Sequence, residues 1–412
     1  MTGSLERMVR YEGGRVMATL VRLTSDIALA EDAVQDAVVE ALDRWPRDGV
    51  PANPAAWLTT VARNRALDVI RREAKRTQKE TTAMMLDEVT VAMREQTTDS
   101  MVHDDLLRLI FTCCHPALSE EARIALALRI LCGMSTVEIA RVFLVPDTTM
   151  GQRISRAKKK IALAHIPYRV PADHELPNRL PAVLRVVHAI LTAGHHAPEG
   201  RADQRADLAA EGIRLARLLT DLMPDEPECA GLLALGLATH ARRDARVDDA
   251  GDLVLLEAQD RTRWHRDEID EARSVLDAAI RRRHAGPYQL QAAIACVHGV
   301  SSTVADTDWP QIAELYRMLE LLAPTPVVRV NRAVAVAEAE SAAAGLAMLE
   351  GIDEAEVDQW HLYWSTRAEL LHRTGEVAGA VASFDRALEC SPNDSDRRHL
   401  ERRRAAVAVV RP

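Results

Sequence analysis

Aromatic residues are scarce in this chain, at 3% of 412 positions. Sandwiches and barrels pack their pleated faces with aromatic and β-branched residues, so this scarcity argues against an all-β fold. No run of roughly 18 or more apolar residues occurs, and no membrane span is expected. Met1 to Arg22 lack the charged start, apolar core and small-residue cleavage site of a signal peptide, so a cytoplasmic protein is expected. The six cysteines (Cys113, Cys114, Cys132, Cys229, Cys296 and Cys390) form no CxxC pair, which is reduced-compartment usage rather than a disulfide framework. A basic excess is also missing. Lys+Arg number 52 against 61 Asp+Glu, and taken over the whole chain this net charge of −9 argues against a simple basic nucleic-acid binder.

The distribution of charge overturns that exclusion. Residues 1–165 hold 23 Lys+Arg and 22 Asp+Glu, whereas residues 166–412 hold 29 and 39. The acidity therefore belongs to the second part. In the first part the cations gather in two clusters, one at Arg63, Arg65, Arg71, Arg72, Lys75 and Arg76, the other at Arg153, Arg156, Lys158, Lys159 and Lys160. Local basic patches are what a DNA contact needs.

Ala, Leu, Arg and Glu dominate, as helices prefer. Length suggests two to four domains at roughly 100–200 residues each. The periodicity predicts an all-α protein: a unit over 8–76, a polar linker over 77–102 with a short helix near Ala83–Val89, a second unit over 103–165, and a helical extension over 179–410. A Pro-bearing segment, Ile166 to Pro171, separates the second unit from the extension.

In the first unit, a helix near Ile27–Arg44 has the apolar stripe Ala30, Ala33, Val34, Ala37, Val38, Ala41 and Leu42. Its other face carries Asp32, Gln35, Asp36, Glu40 and Asp43. A solvated acidic face is the plain alternative to a docking face. The next helix opens on Asn53-Pro54, an N-cap before a proline in the first turn. Asn64, Asp68, Arg71 and Lys75 share one of its faces, flanked by Arg63 and Arg72, and such a face can hold phosphates and reach base edges. A solvated basic face is again the alternative. In the second unit, Glu120–Cys132 stops at Gly133, and Ser135-Thr136-Val137-Glu138 is a capping box opening the next helix. Val145-Pro146-Asp147 makes a turn with Asp147 as N-cap. A third helix, about Thr148–Ala164, turns Met150, Ile154, Ala157 and Ile161 inward. This is helix-turn-helix spacing, which leaves Thr148, Thr149, Gln152, Arg153 and Arg156 outward for bases and Lys158 for phosphate.

The segments Ala30-Glu31-Asp32-Ala33-Val34-Gln35-Asp36, Trp57 to Asp68 and Arg71-Arg72 resemble region 2 of sigma-70 family initiation factors, in the compact extracytoplasmic-function (ECF) group. Glu138-Ile139-Ala140 through Arg153 to Lys158 resembles region 4. The resemblance implies that Asp32, Gln35 and Asp36 face RNA polymerase core, whose β′ clamp helices and β flap are the implied partners. It implies that Asn53, Arg63, Asn64, Asp68, Arg71 and Arg72 lie at the −10 element of promoter DNA, with the loop Arg47–Asn53 holding a flipped base. Thr148, Thr149, Gln152, Arg153, Arg156 and Lys158 would lie at the −35 element. Gly151 and Gln152 depart from the family's pattern, and a mid-helix glycine costs about 1 kcal/mol. Trp45 and Trp57, the aromatics near the loop, read as core, so a base pocket would rely on polar groups and backbone.

The extension contains an internal repeat. Pro324 and Pro392 lie 68 residues apart, twice 34, and Tyr316 and Phe384 keep that offset. Trp364, Ala368, Leu371, Gly375, Ala380, Phe384, Ala387 and Pro392 resemble a tetratricopeptide repeat (TPR); a weaker copy spans Pro326–Val357. A generic helical bundle is the alternative. Asp248 to Arg261, acidic around Gly251, lacks the spacing of an EF-hand loop and is expected to be an inter-repeat loop, and it resembles a segment of the sigma subgroup with long TPR-like extensions.

Cys113-Cys114-His115 suggests zinc, but adjacent helical cysteines point about 100° apart and chelate poorly. His195-His196 lack partners at ligand spacing. No P-loop, GxGxxG, GxSxG or HExxH motif occurs, so neither metal, cofactor nor enzymatic activity is expected. The combined reading is a sigma factor that directs polymerase to promoters and helps melt the −10 element, with a regulatory extension that offers a repeat groove to a protein partner. The rival readings are a helix-turn-helix regulator independent of polymerase and a TPR scaffold.

Overall fold

The computed structural model of the chain describes residues 2–77, 99–143, 145–164, 166–172, 174–196, 202–246, 254–391 and 394–409. Among these are 19 α-helices and no strand. The chain divides into two compact units, Met1–Leu219 and Thr220–Pro412.

The first unit opens with α1 (Thr2–Thr24), α2 (Ile27–Asp48) and α3 (Pro54–Thr77). Val16, Met17, Ala18, Thr19, Leu20 and Val21 are all buried in succession, so α1 is enclosed on every side, as a helix apolar all round must be. Asp26 caps α2 by accepting from the amides of Ala28 (2.8 Å) and Leu29 (3.1 Å). The expected α3 cap is present, with Asn53 Oδ1 accepting from the Ala56 amide at 3.0 Å. Two boundaries differ from expectation. Helix α2 runs on through Pro46 to Asp48 and ends at Gly49, whose φ of 87° needs glycine, so the loop expected at Arg47–Asn53 begins only at Gly49. Helix α4 (Asp99–Cys113) starts inside the expected linker, and the short helix expected at Ala83–Val89 lies outside the described residues.

Next come α5 (Glu120–Ile130), α6 (Thr136–Val142) and α7 (Asp147–Leu163). The capping box forms in both directions: the Ser135 amide donates to Glu138 Oε2 at 2.7 Å, and the Glu138 amide to Ser135 Oγ at 3.2 Å. The turn before α7 corrects one expectation. Pro146 occupies the cap position, and Asp147 sits in the first turn, where its charge suits the positive end of the helix dipole. Helix α8 (Leu176–His196) follows and packs on α5; it is joined to α4 by Arg179, whose Nη2 donates to Phe111 O at 2.8 Å. Helix α9 (Ala202–Leu222) crosses into the second unit.

The second unit is a succession of paired helices: α10 (Pro227–His240), α11 (Arg266–Ile280), α12 (Pro287–Val300), α13 (Trp309–Leu322), α14 (Pro326–Ala339), α15 (Ala342–Glu350), α16 (Glu354–Val357), α17 (His361–Arg373), α18 (Val377–Glu389) and α19 (Asp394–Val409). The residues of the expected final repeat form a hairpin core. Ala368, Ala380, Phe384 and Ala387 are buried, and Gly375 takes φ 88° at the turn. In the preceding pair, a Cβ on Gly345 would lie 2.6 Å from Ala333 O, so α14 and α15 touch backbone to backbone. Pro392 and residues 247–253 of the acidic segment lie outside the described residues; Val254 begins the described part by donating its amide to Arg246 O at 2.8 Å.

Candidate nucleic-acid and polymerase interface

Burial of Ala30, Ala33, Ala37 and Ala41 fixes the rotation of α2 and leaves Asp32, Gln35 and Asp36 exposed together. On α3, burial of Leu58, Ala62 and Ala66 leaves Asn64, Asp68, Arg71 and Arg72 exposed and Arg63 half-buried. That face is partly self-neutralised. Asp68 lies 3.9 Å from Arg71, its carbonyl accepts from Arg72 Nε at 3.1 Å, and Arg65 pairs with Glu40 of α2 at 3.1 Å. Asn53 serves as the α3 cap beside this face. Trp45 is buried and meets Trp57 edge to face at 5.3 Å, while Trp57 itself is only half-buried.

On α7, Met150, Ile154, Ala157 and Ile161 are buried as expected. Thr148, Thr149, Gln152 and Arg156 are exposed along its N-terminal half. Arg153 is half-buried, its guanidinium 5.6 Å from the centre of the Phe143 ring, so it braces the turn from α6 as well as flanking the exposed face. Lys158 is held differently. It pairs with Glu31 of α2, 127 residues away in sequence.

Glu31 is a buried junction residue to which the motifs assign no role. It is 7% exposed, and its Oε1 accepts from Arg129 Nε at 2.7 Å and from Gln35 at 3.3 Å. Its signal was positional. Glu31 lies four residues after Ile27 and three before Val34, within the apolar stripe and not on the acidic face. A carboxylate at such a place needs cationic partners.

Three further contacts close α1–α3 onto α4–α7. Arg22 of α1 pairs with the buried Asp105 of α4 at 2.8 Å. A Cβ on Gly14 would lie 2.5 Å from Leu131 O, so α1 can approach the end of α5 only through glycine. Tyr168, in the Pro-bearing segment, places its hydroxyl 2.8 Å from both Ala18 O and Asp105 O, its single proton shared between the two carbonyls. Burial, and then the Asp105 charge, push the Tyr168 phenol far above its ordinary range, so it remains a donor at any physiological pH. Tyr168→Phe is expected to lower the unfolding free energy by about 1 kcal/mol, read from the urea midpoint. An unchanged midpoint would show that this hydroxyl bridge does not form.

Cys113 and Cys114 pack the end of α4. Burial pushes the Cys114 thiol up to about 12, so neither is a ready thiolate ligand or nucleophile. Among the described residues no group of three or more His, Cys, Asp or Glu converges as a metal site. The side chains of His195 and His196 lie outside what is described. No described helix is long and apolar enough to cross a membrane.

Comparison with known proteins places these faces in a family. Residues 8–76 match the sigma-70 region 2 family, residues 108–161 match sigma-70 region 4, and residues 179–280 match a family of unknown function, DUF6596. An uncharacterised protein of Rhizobium meliloti (strain 1021) is 42% identical over 401 residues, covering 97% of this chain and 95% of that one. The ECF RNA polymerase sigma factor SigL of Mycobacterium tuberculosis (strain ATCC 25618 / H37Rv) is 33% identical over 144 residues, 35% of this chain and 78% of SigL. SigJ of the same strain, also an ECF RNA polymerase sigma factor, is 30% identical over 178 residues, 41% of this chain and 54% of SigJ. No solved structure matches. With region 2 and region 4 matched in order, and with relatives over both the whole chain and its N-terminal part, the chain belongs to the ECF group of the sigma-70 family.

Proposed function

We propose that this protein directs core RNA polymerase to specific promoters and helps melt the −10 element, acting in the cytoplasm without enzymatic activity of its own. The observation that carries this reading is the exposed N-terminal half of α7, with Thr148, Thr149, Gln152 and Arg156 outward over a buried Met150–Ile161 stripe. Such a face suits a major groove, Arg to guanine and Gln to adenine. In the same reading the exposed Asp32, Gln35 and Asp36 dock on the β′ clamp helices and the α5–α7 segment contacts the β flap. The α3 face, with Asn53 and the loop from Gly49, then takes the −10 strand, and Trp57, half-buried, offers one stacking surface at its margin.

The compact first unit supports a second element of the proposal: the free protein is held closed. Lys158, expected at DNA phosphate, is occupied by Glu31, so promoter binding requires that pair to exchange for phosphate. The acidic extension, read as TPR-like helix pairs with a groove for a protein partner, would bias that opening. Transcription by reconstituted holoenzyme tests the whole. Gln152→Ala with Arg156→Ala, both exposed and outside the packing of α7, is expected to weaken promoter binding by about 1–3 kcal/mol per lost base contact, roughly 5- to 150-fold each. Unchanged promoter-directed transcription would sink the reading of α7 as the −35 helix. Failure to bind core polymerase, with specific binding to duplex DNA alone, would favour the polymerase-independent regulator.

A further inference from the structure

The second unit contains a cluster of arginines that form no ion pair among the described residues. Arg242 follows α10, Arg246 ends the next turn, and Arg261 lies in the turn before α11. Arg242 and Arg261 flank Trp264, 3% exposed, with their guanidinium carbons 5.9 and 4.8 Å from its ring centre, and the Arg246 charge acts on Arg242. Exposed Arg266 lies at the margin, 6.0 Å from the same ring.

A neighbouring arginine shows what compensation looks like here. Arg243 meets Glu268 at 2.8 Å and shares that carboxylate with His240. Among the described residues no carboxylate lies within ion-pair reach of Arg242, Arg246, Arg261 or Arg266. Arg261 and Arg266 direct donors at backbone instead, Arg261 to His298 O (3.0 Å) and Ser301 O (2.7 Å), Arg266 to Gly299 O (2.8 Å). Arg242 Nε, Arg246 Nη1, Trp264 Nε1 and His298 Nδ1 are buried without any partner. These are four of the eleven such atoms among the described residues, and three of the four are obligate donors.

A guanidinium cannot shed its proton to escape burial. Arg242 is pushed down to about 10, by desolvation first and then by Arg246 and Arg261, and so stays charged at neutral pH. Burial, with Arg242 and Arg261, pushes His298 down to about 4, so the imidazole stays neutral and adds no charge. Uncompensated buried charge is strongly destabilising, and unmet donors call for an acceptor-only group. Phosphate fits both needs: it brings close to two negative charges for two guanidiniums that form no ion pair among the described residues, and several acceptor oxygens for their unmet donors.

We propose that Arg242, Arg246 and Trp264 form a binding site for a small phosphate-bearing anion, with Arg266 at its margin. The proposal is independent of the promoter reading, because it concerns ligand binding by the second unit alone. Thermal unfolding of the full-length protein tests it, with inorganic phosphate, pyrophosphate or AMP added against chloride at matched ionic strength. At about ten times the dissociation constant, the midpoint is expected to rise by about 3–5 °C. A larger rise with AMP than with inorganic phosphate would identify a phosphate ester as the ligand; the reverse would identify the free ion. Arg246→Gln and the charge-preserving Arg246→Lys are expected to abolish or reduce the rise, whereas exposed Arg263→Gln leaves it intact. If Arg246→Gln does not fold, Arg246→Lys carries the comparison. No rise with any of the three probes overturns the proposal. So does an equal rise in wild type and the Arg246 variants, which would mark a general salt effect.

Discussion

Glu31→Ala is expected to destabilise the protein by about 3 kcal/mol, the lower end of the range for removing one partner of a buried ion pair. The low end applies because the Arg129 and Lys158 side chains keep 20% and 24% exposure, so water recovers part of the loss. The effect is large because one carboxylate serves two cations. Without it, Arg129 keeps its bond to Met134 O at 3.0 Å among the described residues, and Lys158 loses its partner on α2. Guanidinium denaturation of the full-length variant reads the stability. Promoter binding against salt provides a second readout: a released Lys158 steepens the salt dependence by about one phosphate contact. A Glu31/Lys158 double-mutant cycle isolates the pair. A loss below about 1 kcal/mol would show that the regions are not closed on each other in solution.

Phe384→Ala is expected to cost about 3–5 kcal/mol. Phe384 is 1% exposed in the α17–α18 hairpin, packed in one cluster with the small residues Ala368, Ala380 and Ala387. Small residues let the helices approach closely but cannot reach into the space the ring vacates. If the second unit unfolds as its own transition, only that transition shifts. Two coincident, equally shifted transitions would show that the compact units do not unfold independently.

What the sequence made legible was local. The Asn53 cap, the Ser135/Glu138 box, the stop at Gly133 and the turn at Gly375 each depend on residues within a few positions of one another, and each is present. Rotation of α2, α3 and α7 was legible for the same reason, since helical period alone decides which side is buried. The contacts that close the first unit were not. Glu31 finds Arg129 and Lys158 across 98 and 127 residues, and Tyr168 reaches Ala18 across 150. No period or motif encodes such pairings. The only trace was a carboxylate set in an apolar stripe. The same holds for Arg242 and Arg261, which no motif marks and which meet across Trp264.

The separation between Glu31 and Lys158 also sets a clock. At ribosomal speeds of about 5–20 residues per second, the 127 residues between them take roughly 6–25 s to synthesise. The α1–α3 bundle, built from short-range contacts, folds far faster than that. Every newly made chain therefore passes through an interval in which Glu31 has neither Lys158 nor a closed unit around it. The closed form is the late product of translation, and the nascent chain leaves the Glu31 carboxylate uncovered before the chain's own lysine can reach it.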